Sequence, residues 1–270
     1  MTNAFLTACS AGKNSPPVSS MASMPQGVTP AQWLETVHSL ETRCAIDMYR
    51  GESFSRLAAV SFKLSTPLWI VSAELGFVHS QDRICSYDAS FSNEVAIRVQ
   101  DRFSGSKADW LAGLTRERGD GQWWNKYCNV ICAVPVAYED AVAELVPNAI
   151  FITARKELEA RKLLYDRRLN DPRCPYRGRD SDYKARQAEH FADLIYPQFD
   201  QSLIEADLSQ YKTRHRDGTR VKITDEQVLD VLRTTKPNSV SAALNSFLAN
   251  GIAMGKKRLQ QLWDLYSRPD

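Results

Sequence analysis

Short apolar runs alternate along this chain with amphipathic stretches, and each run ends in small or polar residues. Asn3–Ala8, Leu68–Ala73, Asn129–Val134 and Ala149–Thr153 are brief and mostly apolar from end to end. That is the pattern of strands buried on both faces of a parallel sheet. Thr29-Pro30 opens a helix with proline at its first position. Trp33, Val37, Leu40 and Cys44 then recur on one face, which predicts a helix to about Cys44. Ser53–Leu64 predicts another, with Phe54, Leu57, Ala58 and Phe62 inward and Pro67 as its stop. Leu75–Val78 reads as a tight turn. Residues 91–116 read as helix in two pieces broken near Ser104-Gly105-Ser106, and Ala137–Leu145 as a short helix. Strand and helix in alternation predict an α/β fold, a mostly parallel open sheet with flanking helices.

From Arg155 the pattern changes. Arg155–Arg168 predicts a charged helix anchored by Leu158, Leu163 and Leu164, and Tyr183–Tyr196 a further helix closed by Pro197. The last fifty residues predict three helices. Thr224-Asp225-Glu226-Gln227 has the form of a capping box. Val228, Leu232, Ala243, Leu244, Phe247, Leu248, Leu259, Leu262 and Trp263 fall at helical spacing, and Asn250-Gly251 ends the middle helix. The expected organisation is an α/β domain over residues 1–208 with a basic helical extension at 155–208. A basic linker at 209–222 and an all-α, helix-turn-helix-like domain at 223–270 complete it.

Charge sharpens that division. The whole chain carries only +2, yet residues 155–190 hold eleven Lys and Arg against seven Asp and Glu, and residues 209–270 hold eleven against six. Basic segments of this kind suit a polyanion, and nucleic acid, DNA in particular, is the expected partner. The six cysteines form no C-x-x-C pair and the four histidines keep no metal-ligand spacing, so no metal site is expected. Scattered cysteines read as reduced, which predicts a cytoplasmic protein. Leu6-Thr7-Ala8-Cys9 has the form of a lipoprotein cleavage box. It lacks the basic segment and the longer apolar stretch of an export signal, and no run approaches a membrane span. No membrane partner is expected.

Chemistry-bearing residues collect where strands end. Ligands of open α/β sheets sit outside the carboxyl ends of the strands. Cys9-Ser10-x-x-Lys13 ends the first strand, and Gly12 with Ser10 and Lys13 offers amides, a hydroxyl and a cation to an anion. Its spacing is not that of a P-loop. Ser72 and Glu74 end the second strand, where an acid can accept from a base edge or move a proton. Tyr87-Asp88 can stack on and position a ring. In the last helix Lys256, Lys257, Arg258 and Gln261 stand where a recognition helix meets DNA, and Arg214, Arg216 and Arg220 in the linker add basic charge.

Cys9-Ser10-x-x-Lys13, a tyrosine (Tyr49) before the Gly51-Glu52-Ser53-Phe54 helix start, Trp69-Ile70-Val71-Ser72-Ala73-x-x-Gly76, and Tyr87-Asp88 occur in that order. Over residues 3–100 this resembles a bacterial and phage α/β domain family similar to the uracil-DNA-glycosylase-like domain of archaeosine synthase. More distantly it is similar to the peroxide-stress DNA-binding proteins. The resemblance implies an α/β fold that holds a nucleobase or a deazaguanine derivative. It carries over Cys9, Tyr49, Ser72, Gly76, Tyr87 and Asp88 as ligand-binding residues, and Ser10, Lys13 and Glu74 as catalytic ones. Glu74 stands where the family more often has Lys or Arg, and the Ser/Pro-rich loop after Lys13 is long. The function expected is a nucleic-acid-associated enzyme handling a nucleobase, by base modification or glycosidic-type chemistry. The alternative is a non-enzymatic DNA-binding protein, such as a phage or mobile-element regulator.

Overall fold

Five residues without an exposed side chain, Ala4–Ala8, form strand β1 at the middle of the principal sheet. The computed structural model describes residues 2–9, 12–17, 20–37, 43–88, 90–91, 98–171, 173–176, 180–211, 223–237, 239–249, 252 and 254–266. Among these the side chains of Arg167, Asp180, Leu248, Ala249, Lys256 and Lys257 are left aside. The chain forms two units, Met1–Thr213 and Arg214–Asp270.

In the first unit, β1 pairs in parallel with β3 (Leu68–Ser72) on one side and β6 (Val130–Ala133) on the other. β7 (Ala149–Thr153) and β8 (Lys162–Leu164) extend the sheet in parallel beyond β6. β4 (Gly76–His79) pairs antiparallel at the opposite edge, giving the order β4-β3-β1-β6-β7-β8. β2 (Arg43–Cys44) and β5 (Arg83–Ile84) make a separate two-residue ribbon. The sheet is thus mostly parallel and the α/β reading holds.

Helices α1 (Pro30–Val37), α2 (Ala45–Met48) and α3 (Glu52–Lys63) lie between β1 and β3 in the chain. Helix α4 (Lys107–Glu117) precedes β6, α5 (Val136–Leu145) joins β6 to β7, and α6 (Tyr183–His190) and α7 (Gln201–Leu208) follow β8. The crossover from β1 to β3 and that from β6 to β7 run in opposite directions along the sheet. Right-handed crossovers therefore put α3 and α5 on opposite faces. Accordingly α3 packs with α6, and α4 packs with α1 and α5.

Four local expectations are corrected. Residues 75–78 are mostly strand β4, because Phe77 and Val78 are both buried against the sheet edge. The segment 155–168 is not a helix. Leu163 and Tyr165 are its buried residues beyond Leu158, and their two-residue spacing is that of a strand. The expected helix does not reach Cys44, because Arg43-Cys44 is extended against Arg83-Ile84; Leu40 lies outside the described residues. On α3 the buried stripe is Phe54, Leu57, Val60 and Ser61, which leaves Phe62 88% exposed. Residues 155–208 lie within the first unit and contribute strand β8 to the sheet as well as helices α6 and α7.

The described residues of the second unit form three helices, α8 (Asp225–Thr235), α9 (Val240–Ala249) and α10 (Lys256–Tyr266). Thr224 and Gln227 cap α8 reciprocally: Thr224 Oγ1 accepts from the Gln227 amide at 3.3 Å, and Gln227 Oε1 accepts from the Thr224 amide at 2.8 Å. Val228, Leu232, Ala243, Phe247, Met254, Leu259 and Leu262 form its core. No described helix is long and apolar enough to cross a membrane.

Candidate functional site

Because β1 and β3 are parallel neighbours, the loops leaving them emerge on the same edge of the sheet. The amide of Cys9 still donates to the Val71 carbonyl at 2.9 Å, so the two chains stay in register to their ends. Beyond that point Lys13 bridges Tyr49 antiparallel. The Asn14 amide donates to the Met48 carbonyl at 2.9 Å and the Arg50 amide to the Gly12 carbonyl at 3.0 Å. A Cβ on Gly12 would lie 3.0 Å from that Arg50 carbonyl oxygen, which explains the small residue. The Ser/Pro-rich loop then ties down a third segment: Ser86 Oγ donates to the Ser15 carbonyl at 2.7 Å, and the Met21 amide to that of Asp88 at 2.9 Å. Three loops, each far apart in sequence, thereby close on one another. They enclose a cleft of about 450 Å³ bordered by Lys13, Arg50, Ser86, Tyr87 and Asp88.

The turn between β3 and β4 carries Glu74 inward. Its backbone is gripped twice: Trp33 Nε1 of α1 donates to the Glu74 carbonyl at 2.8 Å, and Trp110 Nε1 of α4 to the Ala73 carbonyl at 2.6 Å. Gly76 follows with φ +70°, and a Cβ there would sit 2.8 Å from Thr115 Oγ1. Glycine is needed on both counts, so Gly76 shapes the turn. Glu74 is fully buried, and neither carboxyl oxygen has a hydrogen-bond partner among the described residues. Burial pushes this carboxyl well above its ordinary value; the Lys13 cation acts the other way but does not prevail. The shift favours the protonated carboxyl, which can both donate and accept.

Beside it runs a chain of hydroxyls. Ser72 Oγ and Tyr87 Oη are 2.6 Å apart, and Tyr87 is hydrogen-bonded in turn to Tyr49. Burial holds both phenols well above their ordinary value, so both keep their protons. Lys13 Nζ stands 4.3 Å from the centre of the Tyr87 ring, a cation–π contact that fixes the ammonium at the cleft. Cys9 lies at the other side. Its Sγ is 3.7 Å from the hydroxyl of Tyr138 in the first turn of α5. From β1 the chain steps to β3, and from β6 it steps the opposite way to β7. The β1 and β6 ends therefore flank the topological switch point, and Cys9 and Tyr138 stand there.

The structure thus brings Cys9, Lys13, Tyr49, Ser72, Glu74 and Tyr87 to one place, with Asp88 on the cleft wall. Ser10 lies outside the described residues. Sequence reasoning missed Tyr138, Trp33, Trp110 and Arg50. Tyr138 follows a buried strand by four residues, a position that becomes informative once strand order is known. Trp33 reads as an ordinary helix-face residue and Trp110 only as part of an expected helical stretch, and their indole donors are useful only against a turn from another part of the chain.

In the second unit Arg258 is committed internally. Its guanidinium pairs with Asp225 and donates to the Ile223 carbonyl at 2.8 Å, tying α10 to the start of α8. Gln261 is exposed on α10. Arg214, Arg216 and Arg220 lie outside the described residues, as do the side chains of Lys256 and Lys257. Several cations of 155–190 are likewise paired within the sheet unit: Arg155 with Asp140 and Glu157, Arg168 with Asp166 and Glu205, and Arg173 with Asp171.

No protein-family model and no curated protein matches this chain.

Proposed function

We propose that residues 1–213 form the catalytic unit of an enzyme that handles a nucleobase in nucleic acid, by base modification or glycosidic-type chemistry. The observation that carries this reading is Glu74, a buried carboxyl with no hydrogen-bond partner among the described residues, whose protonated form burial favours, close to Lys13 and the cleft that Lys13 borders. Buried polar groups are nearly always paired. An unpaired one at the carboxyl end of a parallel strand is suited to pairing with a ligand. A neutral carboxyl can donate to a ring nitrogen while accepting from a neighbouring N–H, the two-point pattern found on base edges. The same proton can be passed to a departing base, as a general acid. Lys13 supplies the charge for a phosphate or a carbonyl oxygen, and Tyr87 a ring face.

A DNA-binding regulator with a chemically idle α/β unit would have no reason to gather Lys13, Ser72, Glu74 and Tyr87, and their convergence favours an enzyme. The three-helix unit supplies DNA contact in this proposal, with α10 as the recognition helix and Lys256, Lys257 and Gln261 as its reach. Arg258, spent on Asp225, is left out of that role.

The reading is tested by calorimetric titration of nucleoside monophosphates into the wild type, Lys13→Ala and Glu74→Gln. Mass spectrometry of nucleosides from cells with and without the gene accompanies it. Binding lost in both variants with their circular dichroism unchanged, and a nucleoside whose abundance depends on the gene, are the expected results. Wild-type affinity in both variants would assign the site elsewhere.

A further inference from the structure

The hydroxyl chain beside Glu74 has a direction, fixed by how many hydrogen bonds each oxygen can accept. Ser72 Oγ accepts from two backbone amides, Glu74 at 3.2 Å and Leu75 at 3.3 Å. A hydroxyl has two acceptor positions and one proton, so Ser72 has only its proton left, and at 2.6 Å that proton goes to Tyr87. Tyr87, having accepted, places its own proton on its other partner, Tyr49. The opposite direction would load three donors on Ser72 and leave its proton without an acceptor. One proton is therefore left over, on Tyr49, and it has no acceptor among the described residues. Each bond in such a run polarises the next, so the last hydroxyl is the strongest donor. Tyr49 pairs with Lys13 along the backbone and its hydroxyl meets that of Tyr87, and both of those residues border the cleft.

We infer that the Tyr49 hydroxyl is the terminal donor of a one-way chain from Ser72 and holds a carbonyl oxygen of the ligand, so that the site selects an oxo-heterocycle over its amino counterpart. This rests on the nucleobase reading and adds the chemical class of base. An exocyclic amine in the same place would set donor against donor, whereas a carbonyl takes the proton that the protein leaves unspent. The neutral Glu74 carboxyl beside it serves the adjacent ring nitrogen in either protonation pattern, so discrimination falls to Tyr49.

The experiment uses two pairs of probes that differ only by oxo against amino, inosine with adenosine 5′-monophosphate and uridine with cytidine 5′-monophosphate. Each is titrated calorimetrically into the full chain and into Tyr49→Phe. In at least one pair the oxo member should bind about tenfold or more tightly to wild type, because a site built around a hydrogen bond rejects the analogue that lacks the partner. In Tyr49→Phe that preference should shrink to about twofold or less, with circular dichroism unchanged. A second measurement follows the chain itself. In protein carrying 3-fluorotyrosine, fluorine resonances assigned with Tyr49→Phe and Tyr87→Phe should show Tyr49 ionising before Tyr87. Tyr87 ionising first, an amino preference, or an oxo preference that survives in Tyr49→Phe overturns this inference alone. Failure of all four nucleotides to bind wild type overturns the nucleobase reading with it.

Discussion

Trp33 donates its indole N–H to the carbonyl of Glu74 at 2.8 Å, so a helix residue forty-one positions earlier sets where the buried acid stands. Trp110 does the same for Ala73 from the opposite direction in sequence. The turn carrying Glu74 owes its shape to these two donors as much as to its own residues. Replacing Trp33 by Phe keeps an aromatic ring of smaller size and leaves a buried carbonyl without that donor. Stability should fall by about 1–3 kcal/mol, and ligand affinity should fall with it as Glu74 shifts. Urea denaturation beside nucleotide titration checks both, and an unchanged midpoint with unchanged affinity would show the turn to be self-supporting.

Glu74 itself should cost stability at neutral pH. Its folded value is raised by burial above the ordinary 4.5. Below about pH 4.5 both folded and unfolded chains hold the proton, and the group contributes nothing. Above it the unfolded chain ionises first and binds fewer protons, so stability falls as pH rises toward the folded value. Glu74→Gln removes the titration. The variant should melt at the same temperature as wild type near pH 4 and progressively higher than wild type toward pH 8, while losing ligand binding. A difference in melting temperature that stays flat with pH would mean that the carboxyl is charged in the fold.

Leu6 lies in β1 between Trp69 of β3 and Cys132 of β6 and is fully buried. Leu6→Ala deletes methyl groups where the neighbours on both sides are strand backbone and cannot close the gap. The expected loss is about 2–5 kcal/mol, read from chemical denaturation. A loss no larger than that of a surface alanine substitution would place β1 outside the centre of the sheet.

In the three-helix unit, basic residues of one helix turn should separate by role. Arg258→Ala breaks the pair with Asp225, a partly exposed contact worth about 0.2–1 kcal/mol, and should lower the melting of residues 214–270 without changing how binding depends on salt. Lys256→Ala with Lys257→Ala should leave melting alone. If both lysines meet phosphate, that double change should reduce the log–log salt slope for duplex DNA by up to about two units. Identical slopes for wild type and both variants would assign this unit to protein contacts.

The four principal strands were legible in the sequence because buried parallel strands are short continuous apolar runs, and β1, β3, β6 and β7 are nothing else. The three C-terminal helices were legible too, since a capping box and apolar spacing are local signals. Cys9, Lys13, Ser72 and Glu74 stood out as residues at strand ends, and which end of a strand a residue occupies follows from chain direction alone. What stayed hidden depended on partners distant in the chain. β4 and β8 are short edge strands, of four and three residues, and their extended form comes from β3 and β7 rather than from their own propensity. Whether Arg258 faces solvent or Asp225 is a matter of helix packing. Most of all, sequence could name Ser72, Tyr49 and Tyr87 but could not order them. Their direction as donors exists only because the Glu74 and Leu75 amides fill the oxygen of Ser72, and because burial keeps both phenols protonated. Side-chain chemistry is written residue by residue; the count of protons against acceptors is settled only when the fold brings the residues together.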